Sequence, residues 1–219
     1  LFSGVFWDVQ AVLLEAVERI EVISGPGGAV WGANAVNGVL TIITRHSGDT
    51  RGTYVEGGGG NSLNDFAGAR YGGTIGSRSS FRVYGRYFDR DNEVYPNGDE
   101  ANDSWRMGQG GLRLDARTSS RDSMTVYADA YVLNENVFTG GGSTANGGNV
   151  IGRWSHTVSP RSNFSVQVYY DHAAISNPER ACDFSPAGRL SDRLDTYDVD
   201  FEHRLALGTR NHLVWGLGY

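Results

Sequence analysis

The sequence contains one cysteine, five prolines and no lysine in 219 residues. A single cysteine cannot close an internal disulfide, and it leaves the redox compartment open. All 19 basic side chains are arginine, set against 25 carboxylates for a net charge of −6. They form no basic stripe, which argues against a nucleic-acid partner. Long apolar runs are missing as well. The longest lies around residues 11–17, where Glu15 interrupts it, far short of the roughly 20 residues that a membrane-spanning helix needs. A membrane β-barrel is not excluded, because its strands are only half apolar; the mean hydropathy of −0.37 suits such a barrel or a soluble protein. No charged segment followed by an apolar one marks a secretion signal.

What is abundant is glycine, 31 residues, without the every-third-residue period of collagen. It accompanies 11% aromatic residues, a combination used by strands with tight turns and close backbone approaches.

The pattern changes near Arg45. Before it, the apolar runs 20–23 and 39–43 are contiguous, which predicts strands buried on both faces. A short helical pattern of Val12, Leu13, Ala16 and Val17 precedes them. After Arg45, strict alternation repeats about nine times. Phe81, Val83, Gly85 and Tyr87 share one face, with Arg82, Tyr84, Arg86 and Phe88 on the other. Tyr197, Val199, Phe201, His203 and Leu205 alternate with Asp198, Asp200, Glu202 and Arg204. Period two with a polar second face means one greasy side and one wet side.

A soluble sandwich also alternates, but strands of about 10 residues are long enough to cross a bilayer tilted. The expected connections alternate too. A short loop at 60–64 and longer ones at 90–103, 134–148 and 176–191 face one end, and turns at 76–80, 118–122, 159–163 and 207–211 face the other. That is the up-and-down signature of an outer-membrane barrel; a Greek key scrambles it. Trp105, Phe138, Trp154, Phe164 and Trp215 are candidates for aromatic girdles. The expected fold is mostly β: an incomplete transmembrane antiparallel up-and-down β-barrel of about nine strands.

Residues 17–45, VERIEVISGPGGAVWGANAVNGVLTIITR, carry the most specific signal. Gly25 and Pro26 break the first strand, because proline has no N–H for a ladder. Gly27, Gly32 and Gly38 permit turns that a Cβ resists. The Gly25-x-Gly27 pair lacks the GK[ST] ending of a phosphate loop. The segment closely resembles the end of the plug domain of TonB-dependent outer-membrane receptors. The resemblance rests on Arg19 and Glu21 in the first strand, Gly25-Pro26-Gly27, the aromatic-glycine pair Trp31-Gly32, Asn34-Ala35, and the closing strand from Gly38. Ser24 stands where an arginine usually precedes the Gly-Pro, and Trp31 replaces the commoner tyrosine.

The resemblance implies an α/β plug ending at residue 45 and barrel wall over 46–219. Barrels of this kind have about 22 strands, so the chain is expected to be a piece of a longer protein. The implied protein sits in the outer membrane of a Gram-negative bacterium, among lipid and lipopolysaccharide. It imports a scarce nutrient such as a ferric siderophore, haem or a cobalamin, driven by the TonB complex through a segment upstream. It needs no cofactor and is not an enzyme. The rival readings are a structural or adhesive barrel without cargo and a soluble carbohydrate-binding domain.

Direct chemical signals are sparse. No nucleophile–base pair or metal-ligand spacing stands out among the five histidines. The 90–103 loop carries Asp91, Glu93, Asp99, Glu100 and Asp103, which could hold a cation or form a solvated acidic loop. Arg180, Arg189 and Arg193 in and beside the 176–191 loop are candidates for an anionic chelate or lipopolysaccharide. Arg82, Arg86, Asp129, Asp198, Asp200, Glu202 and Arg204 fall on the wet face, where they are expected to hydrogen-bond the plug.

Overall fold

The computed structural model describes residues 9, 12–27, 35–137, 141–179, 187–208 and 210–219. A 3-10 turn at Leu14–Ala16 leads into a hairpin of β1 (Val17–Ser24) and β2 (Gly38–Thr44). A second 3-10 turn, Ser47–Asp49, leads to β3 (Gly52–Gly58), β4 (Leu63–Ile75), β5 (Ser79–Arg90), β6 (Trp105–Ala116) and β7 (Asp122–Asn136). β8 (Gly142–Ser159), β9 (Ser162–Glu179), β10 (Gly188–Leu207) and β11 (Asn211–Gly218) complete the order. β3 to β11 form one nine-stranded sheet in which each strand pairs antiparallel with its sequence neighbours. This is the expected meander, with the expected strand count.

One face of the sheet is apolar and open: Val83, Leu112, Val132, Val150, Val168 and Tyr197 are all exposed on it. An apolar surface that continuous calls for an apolar neighbour, and the lipid-facing side of a membrane barrel wall is such a surface. At its short-turn end Trp154, Phe164, Phe201 and Trp215 form a row across β8 to β11, with ring centroids 5.3, 5.9 and 5.3 Å apart. His203 joins this row, edge-on to Trp215 and 2.9 Å from the Ser162 hydroxyl. Trp105 departs from the girdle expectation. It lies on the inner face, edge-on to Phe88 at 4.7 Å. Phe138 falls outside the described residues.

The inner face is not polar throughout. At its loop end Phe88, Met107, Leu133 and Ala145 form the hydrophobic core, closed by Val9 from ahead of the hairpin. Alternation gives the face, but depth along the strand decides whether that face meets water or another apolar surface.

Three further expectations are corrected. The helical pattern at 12–17 is only the 3-10 turn, with Val17 already in β1. β1 is exposed and β2 only half-buried: Ile20 is 52% and Val22 72% exposed, because the hairpin pairs chiefly with itself. Among the described residues the long 134–148 and 176–191 loops are mostly strand, since β7 and β8 pair out to Asn136↔Gly142 and β9 and β10 out to Glu179↔Gly188. The glycines misled there for a packing reason. A Cβ on Gly147 would lie 2.3 Å from the His172 carbonyl and 2.6 Å from the Tyr131 hydroxyl.

Candidate functional site

The chain enters and leaves the β1–β2 hairpin along the inner face of β4, β5 and β6, and arginines from those strands hold both feet. On the entering side Glu15 takes Arg70 Nη2 at 2.6 Å and Nε at 3.1 Å. Arg86 Nη1 donates to the Val12 carbonyl at 2.6 Å. On the leaving side Arg113 Nη1 donates to Thr44 O at 3.1 Å and Oγ1 at 2.9 Å. Arg82, 2% exposed, donates to Arg45 O at 3.0 Å and Thr50 Oγ1 at 3.3 Å. Arg70 also spans the two feet, donating to the carbonyls of Thr50 and, at 2.9 Å, Gly52. The feet are tied to each other by Arg45 N to Ala16 O at 2.8 Å.

Asp115 anchors the leaving foot. Its Oδ2 accepts from Ser47 N at 2.9 Å and Ser47 Oγ at 2.7 Å, and from Arg113 Nε at 2.9 Å. Its Oδ1 accepts from Thr125 Oγ1 at 2.9 Å. A buried guanidinium or carboxylate is tolerable only when its hydrogen bonds are filled. Here the wall supplies the charges, and the backbone of the leading segment fills them. A foot of this kind is strong while seated and costly to leave half-broken.

Away from the feet the hairpin is loosely held. A cavity of about 380 Å³ separates it from β7 to β9, lined by Ile42, Thr44, Arg113, Tyr127 and Arg153.

Arg19 and Glu21 pair on the exposed hairpin at 2.7 Å. At its tip Gly25 N bonds Asn37 O at 3.0 Å and Gly27 N bonds Ala35 O at 2.8 Å, on either side of Pro26. Gly25 takes a φ of +104°, a conformation costly with a Cβ, and a Cβ on Gly38 would sit 2.5 Å from the Ile23 carbonyl. Trp31, Gly32 and Asn34 lie outside the described residues, as do Arg180 and Cys182. Arg189 and Arg193 stand on the outward face, in register with Tyr197 and Val199. Arg189 donates to Ser176 Oγ, Ser176 O and Gly142 O, each at 3.0 Å.

Sequence reasoning found Arg82 and Arg86 but missed Glu15, Ser47, Arg70, Arg113 and Asp115. Arg113 and Asp115 share the inward phase of β6, a signal that alternation could have raised. Glu15 and Ser47 carry none, because their partners lie 55 and 68 residues away.

No protein-family model matches the chain. The vitamin B12 transporter BtuB of Vibrio vulnificus is 48% identical over 44 residues, 20% of this chain and 7% of the transporter. The same transporter of Photobacterium profundum is 27% identical over 136 residues, 53% of this chain and 22% of its own. Among solved structures, a variant of the ferric enterobactin receptor PfeA of Pseudomonas aeruginosa superposes with a TM-score of 0.72 at 18% identity, over 94% of this chain and 36% of the receptor.

Motif and fold point the same way: residues 17–45 resemble the plug end of TonB-dependent outer-membrane receptors, and the nine-stranded sheet has the fold of part of the solved receptor. The chain spans about a third of the length of the solved receptor.

Proposed function

We propose that this chain works in an energy-coupled importer, with residues 1–45 as the C-terminal part of its plug and 46–219 as the N-terminal part of its barrel. The cargo is a scarce nutrient such as a ferric siderophore, haem or a cobalamin, captured at the loop end. The TonB complex acts through a segment upstream of residue 1, and lipid and lipopolysaccharide surround the wall. The plug motif, Arg19, Glu21, Gly25, Pro26, Gly27, Trp31, Gly32, Asn34, Ala35 and Gly38, shapes the gate. No covalent chemistry is involved.

The observation that carries this reading is the seam. Four wall arginines grip the leading segment through its backbone and Glu15. A wall that only scaffolds has no use for a segment held by bonds that exchange for water bonds when it moves. Releasing a foot replaces buried hydrogen bonds with hydrated ones, a near-balanced exchange once water enters.

The test locks the entering foot. In a Cys182→Ser background, Glu15→Cys and Arg70→Cys are joined by a reducible bis-methanethiosulfonate linker in cells expressing the full reading frame. Cargo binding is expected to persist and energised uptake to stop, recovering on reduction. Uptake unchanged by the cross-link would contradict the gate.

A further inference from the structure

Arg189 and Arg193 share the outward phase of β10 with Tyr197 and Val199, opposite Pro178 and Ala174 of β9. They therefore do not face the interior through which a cargo would pass. We infer, resting on the importer reading in taking 46–219 as membrane wall, that Arg189, Ser191 and Arg193 bind the phosphorylated head of an outer-leaflet glycolipid.

Depth along the strand comes first. The outward face is apolar at Val168 and Val199, 51% and 44% exposed. At the next outward position Tyr170 and Tyr197 stack, with ring centroids 4.9 Å apart. Tyr170 Oη and His172 Nδ1 reach Asp195 Oδ1 at 2.9 and 2.7 Å. Beyond Tyr197 the described outward side chains of β10 are all polar: Asp195, Arg193, Ser191 and Arg189. Tyrosines with apolar residues on one side and charged ones on the other mark a membrane–water boundary. Arg193 stands four residues past Tyr197, about 13 Å along the strand, or about 10 Å along the membrane normal at the tilt of a barrel strand. Arg189 stands about 20 Å out by the same measure. The headgroup zone of an ordinary bilayer is only about 5–8 Å deep per leaflet. Arg193 can reach back into it. Arg189 needs a head that carries phosphate farther out, as a phosphorylated glycolipid does.

The donors suit phosphate. Both arginines are exposed. Arg189 Nε donates to Ser176 Oγ, and its Nη2 donates to Ser176 O and Gly142 O, each at 3.0 Å. Those bonds fix the guanidinium plane and leave Nη1 for a ligand, so less freedom is lost on binding. Ser191 Oγ lies 3.0 Å from Ser176 Oγ and adds a hydroxyl between the two arginines. The carboxylate nearest along the strand on this face, Asp195, is taken up by Tyr170 and His172, and Arg193 makes no hydrogen bond among the described residues. Guanidinium forks match phosphate oxygens, and each basic side chain held near an anionic surface adds to the attraction.

The test is equilibrium binding of labelled lipids to the purified product of the full reading frame in detergent. The probe is lipopolysaccharide with phosphorylated core sugars, beside the same material chemically dephosphorylated and beside phosphatidylglycerol. The phosphorylated form is expected to bind about tenfold or more tightly than either. Arg193→Gln, which breaks no hydrogen bond of the fold, is expected to weaken it about fivefold, and together with Arg189→Gln about twentyfold. Arg204→Gln removes the same charge from the inward phase of β10 and should leave the affinity within about twofold. Either comparison lipid binding as tightly, affinity untouched by Arg193→Gln, or an equal loss from Arg204→Gln overturns the assignment. Energised uptake by the same cells is scored separately and, where present, leaves the importer standing. Protein missing from the outer-membrane fraction, with no uptake, overturns the reading beneath both.

Discussion

Two sectors of the same inner wall use charge in opposite ways. On β4 to β6 the inward charges are mostly arginines, buried and satisfied by carbonyls of the leading segment and by Glu15 and Asp115. On β9 and β10 they are mostly carboxylates, half-buried or exposed, and Asp171, Asp198 and Asp200 have no cationic partner among the described residues. Both sectors read identically as a polar phase of period two. The difference lies in what each meets: a backbone rich in acceptors calls for buried donors, whereas an aqueous passage leaves charges hydrated and weakly coupled.

The largest effect expected from breaking this contrast is at Asp115. Asp115→Ala removes the acceptor of Ser47 N, Ser47 Oγ and Arg113 together. It should cost about 3–5 kcal/mol in thermal unfolding of the purified protein in detergent. Next comes the apolar patch above the seam. Leu133 is 0% exposed, and Leu133→Ala should cost about 2–4 kcal/mol by the same measurement. Glu15→Gln should cost less, about 1–3 kcal/mol, since Arg70 keeps its two carbonyls; limited proteolysis near residues 12–16 should accelerate with it. The smallest effect belongs to the other sector, where Asp200→Asn should change stability by under about 0.5 kcal/mol. A loss there as large as at Glu15 would erase the distinction between the sectors.

How much of this was legible in the sequence depends on the range of the interactions. The wall was readable because period two is a local signal, and long strands joined by alternating turns leave few other topologies. The motif at 17–45 was readable as a pattern of residue types. Its burial was misjudged: Ile20–Ile23 and Val39–Ile43 look like interior strands, yet Val22 and Leu40 are exposed. Contiguous apolar character states a need for cover without saying what supplies it. Glycine at 147 and 148 suggested a loop, although it makes room for Tyr131 and for the backbone of neighbouring strands. The seam was least legible, since Glu15 finds Arg70 and Val12 finds Arg86 across 55 and 74 residues, and nothing local distinguishes those arginines from solvated ones.

If the wall holds the leading segment through specific, breakable bonds at its feet, a double-mutant cycle of Glu15→Ala and Arg70→Ala, read by thermal unfolding, gives a coupling of about 1–3 kcal/mol, against none for a control cycle of Glu15→Ala and Asp200→Ala. Additive losses from Glu15→Ala and Arg70→Ala would contradict it.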